Sequence, residues 1–160
     1  MRGRLAIVAA LAALAACGSE DAVVVQPAGC VDGLEQNGAP TQSDVLVGDA
    51  WFVGLRETLR RPWREHWDRR EKLARIKAGI VVRAGGTLRL TVPPEARSLV
   101  ALSHGDDPNA VVLSACHGYY PSAIFPGHFR VRRPLCGVPL DWRYGRERGR
   151  LHLSFGDACS

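Results

Sequence analysis

The chain has 160 residues, 46% of them hydrophobic and 23% charged, with a formal net charge of +5. That is enough chain for one domain with a modest core, and the hydrophobic share is ordinary for a globular protein. No apolar run after residue 16 approaches the roughly 20 residues needed to cross a bilayer, which excludes a spanning helix there.

The first element is MRGRLAIVAALAALAAC. Arg2 and Arg4 form a short positive start, and Leu5 to Ala16 carries no charge. This pattern, with small residues at its end, marks an export signal peptide rather than a membrane span. Leu14-Ala15-Ala16-Cys17 resembles the lipobox of bacterial lipoproteins. The resemblance implies cleavage before Cys17, lipid on its thiol, and residence on the extracytoplasmic side of a membrane. Two acyl chains hold such an anchor stably, at about 0.8 kcal/mol per buried CH₂. The expected organisation is a signal peptide over 1–16, a lipid-anchored tether over 17–43 and a β-sandwich domain over 44–160.

Residues 18–44 are rich in Gly, Pro, Asn, Gln, Ser and acids and read as a tether, with Val23 to Val25 as a candidate edge strand. From Gly18 to Leu55 there are six acids and no base, whereas Arg56 to Ser160 holds 19 Lys/Arg against 10 Asp/Glu. The basic part suits anionic lipid, wall polymer or polysaccharide. An arginine-rich solvated surface, partly covered by the acidic leader, is the plainer account. An exported lipoprotein rarely meets nucleic acid, so no nucleic-acid partner is expected.

Val45–Val47 and Trp51–Leu55 read as strands split by Gly48. Pro62 then suits a helix first turn, and Glu65–Arg69, Asp68–Lys72 and Glu71–Arg75 are acid-then-base pairs four apart. The spacing predicts one short helix over 62–75, packed on a sheet edge by Trp63 and Trp67. Those tryptophans, with His66 and the surrounding arginines, are also a candidate ligand platform.

The remainder reads as strands. Gly79–Arg83 and Thr87–Val92 flank Gly85-Gly86, a two-residue hairpin signal. Ser98–Ser103 and Ala110–Ala115 flank a loop of turn formers, His104 to Asn109. Phe129 and Val131, then Val138, Leu140 and Trp142, then Leu151, Leu153 and Phe155 alternate with polar residues. Tyr144–Arg150, with two glycines, reads as a hairpin loop. The Pro-bearing strands near Arg130–Arg133 and Val138–Arg143 would sit best at sheet edges. The predicted fold is an antiparallel β-sandwich, Ig-like or similar, of about seven or eight strands with one short helical insertion.

Cys30, Cys116, Cys136 and Cys159 remain once Cys17 carries lipid, an even number for an oxidising compartment. Four cysteines allow three connectivities. Cys116–Cys136 with Cys30–Cys159 is the preferred one, the first closing a loop between two strands and the second pinning the domain ends.

Motifs for catalysis are lacking. There is no G-x-S-x-G, no phosphate loop and no H-E-x-x-H. His104 with Asp106, Asp107 and His117 has ligand types suited to zinc or copper, but no ligand spacing supports a metal. Cys116 and His117 are strand neighbours that point to opposite faces and so make a poor nucleophile–base pair. No metal and no cofactor are expected. Alternation instead points His128, Arg130, Arg132, Asp141, Arg143, His152 and Ser154 away from the core. If their strands are neighbours, these residues form one basic sheet face, the candidate binding surface along with Trp63 and Trp67.

Several short motifs recur together: Lys77-Ala-Gly-Ile-Val-Val-Arg-Ala-Gly85, Thr91-Val-Pro-Pro94, Ala115-Cys116, Phe125-Pro-Gly-His-Phe129, Cys136 with Pro139-Leu140, and Ser154-Phe-Gly156 with Cys159. Through them the C-terminal half resembles a group of uncharacterised exported actinobacterial proteins and lipoproteins. Where that group has a second glycine, this chain has His128. The resemblance implies an exported β domain with a Cys116–Cys136 bridge, and no activity.

The function expected from these observations is a lipid-anchored, non-catalytic binding or interaction module of the cell envelope. Its partners would be the membrane, through the anchor, and an anionic envelope polymer or a membrane protein. The alternatives are an accessory subunit of a membrane complex, docked through the tryptophan helix, or an envelope polysaccharide or wall hydrolase using the His104–Asp107 loop.

Overall fold

The computed structural model describes residues 34–35, 38–117, 120–156 and 159. The expected signal peptide, the lipobox-like stretch ending at Cys17, the candidate strand Val23–Val25 and Cys30 lie outside the described residues.

The chain is mostly β. In order come β1 (Leu34–Glu35), β2 (Val45–Val47), β3 (Ala50–Phe52), helix α1 (Leu55–Arg60), the single turn α2 (Trp63–His66), β4 (Trp67–Asp68), β5 (Leu73–Lys77), β6 (Ile80–Arg83) and β7 (Thr87–Thr91). A 3-10 turn (Pro94–Ala96) leads to β8 (Val100–Leu102), β9 (Ala110–Ser114), β10 (Ser122–Phe125), β11 (His128–Val131), β12 (Leu135–Tyr144) and β13 (Glu147–Phe155). These build three antiparallel sheets: sheet I, β1-β10-β6-β3-β2; sheet II, β4-β5-β11-β8; and sheet III, β13-β12-β7-β9.

Three sheets stand where two were expected, because one long ribbon bends. β5 and β6 form a single run, as do β10 and β11, and the pairing His128–Lys77 continues in the same register as Phe125–Ile80. At the bend, the Ala78 N–H donates to the Gly127 carbonyl at 3.0 Å. Sheets I and II therefore share one ribbon, creased at Ala78-Gly79 and Pro126-Gly127. His104 fills the crease: its Nε2 lies 2.6 Å from the Ala78 carbonyl, and a Cβ on Gly127 would stand 2.1 Å from its ring.

The sheets surround one core that includes Phe52, Leu55, Ile76, Leu88, Leu90, Phe129, Leu140 and Phe155. Phe129 of sheet II meets Phe52 and Phe155 with ring centroids 5.8 and 5.4 Å apart. Alternation along each strand supplies these inward residues. β5, β7 and β11 each alternate buried with exposed or half-buried positions over most of their length.

Several expectations need correction. The helix over 62–75 is confined to the single turn of α2. Asp68 then accepts the N–H groups of Arg70 and Glu71, and Lys72 takes a left-handed φ of 53°, so the chain reverses and β4 pairs with β5. The Glu71–Arg75 ion pair does form, across this reversal instead of along a helix. The strands flanking Gly85-Gly86 do not pair as a hairpin. The turn carries the chain from sheet I into sheet III, because β6 is already flanked by β10 and β3, and β7 by β12 and β9. β11 and β12 are interior strands. Pro139 is tolerated in β12 because the pairing with β7 starts only at Asp141, leaving one side open there.

The disulfide pairing also differs: Cys136 bonds to Cys159. β12 and β13 form one hairpin, and a register shift between Leu135 and Val138, with Gly137 at φ 64°, marks a bulge that takes Cys136 out of regular pairing. Cys159, just past the end of β13, is thereby the cysteine within reach. That bond takes Cys136 from Cys116 and Cys159 from Cys30, so neither expected bridge, Cys116–Cys136 or Cys30–Cys159, forms; Cys116 is disulfide-bonded, as expected, but not to Cys136.

The folded part reaches into the expected tether. Leu34–Glu35 pairs with β10; Asp44, where the domain was expected to start, is a buried anchor. Burial pushes the Asp44 carboxyl up, but hydrogen bonds from the Gly54 and Thr41 N–H groups, each 2.6 Å, and from the Thr41 hydroxyl outweigh it and hold it below the usual range.

Candidate functional site

The predicted basic face divides in two. His128, Arg130 and Arg132 belong to sheet II or its margin, whereas Arg143 and His152 lie on sheet III. β11 runs between β5 and β8, and β12 between β13 and β7, so no pairing joins the two groups.

Sheet III carries the denser cluster. Its register sets Arg148 directly opposite Arg143, and Arg143 directly opposite Arg89. Three arginines thus cross three adjacent strands in one row, about 5 Å apart along the row. Arg146 stands at the tip of the two-residue turn that joins β12 to β13, with Gly145 before it at φ 56°. All four arginines are exposed. None forms an ion pair among the described residues. The next row holds Arg150, Asp141 and Thr91. Here Arg150 grips Asp141 through two bonds of 2.6 and 3.0 Å and reaches Glu95 at 3.4 Å. The hydrogen bond to Asp141, foremost, holds the Arg150 guanidinium above its ordinary range. Arg89, Thr91, Asp141, Trp142, Arg143, Arg146, Arg148 and Gly149 line an open cleft of about 540 Å³.

Like charges directly opposite each other destabilise a sheet. An uncompensated arginine row therefore works against the fold, and an anion lying along it would relieve the repulsion. Guanidinium forks bind phosphate or carboxylate with two parallel hydrogen bonds. The cleft's carboxylate is already committed to Arg150, which leaves cation without counter-charge in the row itself.

Sheet II offers a second, looser cluster. Arg130 faces Arg75, and His128 faces Lys77. Arg75 is compensated by Glu71 and, at 3.9 Å, by Asp68; Lys77, Arg130 and Arg132 have no ion pair among the described residues. Burial first, then Arg75 and Arg130, hold His128 below the usual histidine range. A cleft of about 590 Å³ runs along Arg75, Lys77, Gly79, Ser103, Pro126, Gly127 and His128.

Trp63 and Trp67 stack at 6.2 Å between centroids, tilted by 42°. Trp63 packs on the core, and its Cε3 lies 3.3 Å from where a Cβ on Gly156 would stand, so it serves as an anchor; Trp67 remains 36% exposed. The loop histidines are dispersed. His104 turns into the crease, His117 lies over Gly85, and Asp107 is engaged by the Asn109 N–H at 2.7 Å. No group of three potential metal ligands occurs among the described residues.

Arg89 and Arg148 escaped the sequence reading. Alternation already turned Arg89 outward, but only register brings it beside Arg143. Arg148 fell within an expected loop that is in fact strand. No helix among the described residues is long and apolar enough to cross a membrane. No protein-family model, curated protein or solved structure matches this chain.

Proposed function

We propose that the protein is an exported, lipid-anchored, non-catalytic module of the cell envelope that binds anionic polymer along the arginine row of sheet III. The single observation that carries this is the Arg89–Arg143–Arg148 alignment across three paired strands, without a partner acid among the described residues. Export and the anchor rest on the N-terminal pattern that ends at Cys17. The architecture is read as a β-sandwich variant, with sheet III as one layer and the creased pair of sheets I and II as the other.

A polymer suits this surface better than a lipid bilayer. The described large apolar side chains that stay exposed are Leu46, Val53 and Trp67, none of them on sheet III, whereas interfacial binding to lipid relies on apolar insertion. Binding also fits better than catalysis, because general acid–base chemistry needs a titratable group poised near the working pH, and the cleft is lined by arginines and a carboxylate held by Arg150.

The test is titration of the purified, oxidised chain with a purified anionic wall polymer over a salt series. Contacts at an exposed row weaken as the Debye length shrinks, so affinity should fall steeply with salt. Arg143→Gln, at the centre of the row, should weaken binding by roughly tenfold, equivalent to about 1.4 kcal/mol for a lost charge-assisted pair. Absence of binding at low salt would remove this reading.

A further inference from the structure

We infer that the molecule bridges polyanion chains, because a second cationic face, formed by Lys77, Arg130 and Arg132, looks away from the core on the side opposite the arginine row. This rests on the polymer-binding reading above and extends it from one site to two.

The opposition of the faces follows from the core. Phe129 of β11 and Phe155 of β13 point inward and meet at 5.4 Å between ring centroids. Sheets II and III therefore turn their inner faces to one shared core, in which this contact joins them. On β11 the residues flanking Phe129, His128 and Arg130, point the other way; on β13 so do Arg148, Arg150 and His152.

The second face is also built by register. Lys77 stands directly opposite His128, and Arg130 opposite Arg75. The cleft along the first pair is about 590 Å³, and a neighbouring one of about 400 Å³ is lined by Arg97, Ser98, Arg130 and Arg132 among others. Gly79 and Gly127 of the crease line the first of these clefts with backbone. Charge complementarity selects the occupant: Lys77, Arg130 and Arg132, spaced along open clefts and without an ion pair among the described residues, suit a polymer of repeating phosphate groups, whereas Arg75 is neutralised by Glu71 and Asp68.

Two faces that each hold one chain convert binding into cross-linking, with the second contact made at high effective concentration. The probe is long-chain inorganic polyphosphate, mixed with the full oxidised chain at low salt and followed by light scattering. Scattering should rise to a maximum at intermediate protein-to-polymer ratio and fall again in excess protein. Triphosphate, too short to join two molecules, should bind at two sites per chain by calorimetry without raising scattering. The variant Lys77→Gln/Arg130→Gln should keep one triphosphate site and lose at least tenfold in scattering amplitude; Arg89→Gln/Arg143→Gln should do the same from the other side. All four substitutions are at exposed positions, and circular dichroism checks that each variant is folded. A stoichiometry of one for the unaltered chain, or unchanged scattering in the Lys77→Gln/Arg130→Gln variant, would overturn bridging while leaving the single-site reading intact. No binding of polyphosphate at all would overturn both.

Discussion

His104 shows how one side chain can hold a bend. Its Nε2–H donates to the Ala78 carbonyl, its ring meets Phe129 edge-on at 6.2 Å, and its Nδ1 is buried with no hydrogen-bond partner among the described residues. Protonation would add a second N–H where no acceptor stands, beside His128. Burial, partly opposed by the Ala78 bond and assisted by His128, accordingly holds the imidazole below its usual 6.5. A base with a depressed folded value binds fewer protons than it does unfolded, so stability is complete above about pH 6.5 and declines as pH falls towards the folded value. Urea unfolding should show a lower midpoint at pH 5.5 than at pH 7.5. The variant His104→Gln keeps a donor for Ala78 but cannot titrate, and its profile should be shallower. Equal slopes for the two proteins would mean that the crease does not depend on a neutral His104.

At the scale of elements, the β12–β13 hairpin organises the site. Its tight turn at Gly145 lengthens both strands until Arg148 comes opposite Arg143, and its interior glycine makes room for an aromatic ring. Gly149 stands opposite Trp142, and a Cβ there would lie 2.8 Å from the indole. Gly149→Val should force the ring aside, destabilise the fold by about 1–3 kcal/mol as overpacking does, and shift tryptophan fluorescence. Arg143 and Arg148 flank this pair, so polymer affinity should fall with it; unchanged fluorescence and stability would show that the ring moves freely. Much of the β content could be read in advance, because alternation is local: Leu88/Leu90, Phe129/Val131 and Leu151/Leu153/Phe155 turn inward as their spacing requires. Strand partnership is not local. Charge pairs four apart looked helical over 62–75, yet an Asx turn at Asp68 and a left-handed Lys72 made a hairpin of the same residues. Gly85-Gly86 marked a turn correctly, while its two strands joined different sheets. The candidate surface was half legible for the same reason, since outward direction follows from period two but the neighbour across the sheet does not.

For the whole molecule, a core shared by three small sheets leaves many short edges, and covalent closure matters accordingly. Cys136–Cys159 spans 23 residues and encloses the β12–β13 hairpin from Cys136 onward, including Arg143, Arg146 and Arg148. Closing a loop of that size restrains the unfolded chain by about 3 kcal/mol in the entropic account. Against a net stability of roughly 5–15 kcal/mol for a typical domain, that is a substantial share. Cys136→Ser/Cys159→Ser should lower unfolding stability by about 2–4 kcal/mol in urea. Its effect on binding should be small at temperatures where the fold persists, because Val138 to Tyr144 remains paired with Leu153 to Glu147 without the bridge. If instead binding is lost while the fold is intact, the bridge positions the arginine row directly, and the hairpin's own ladder is too weak to hold the register on which the site depends.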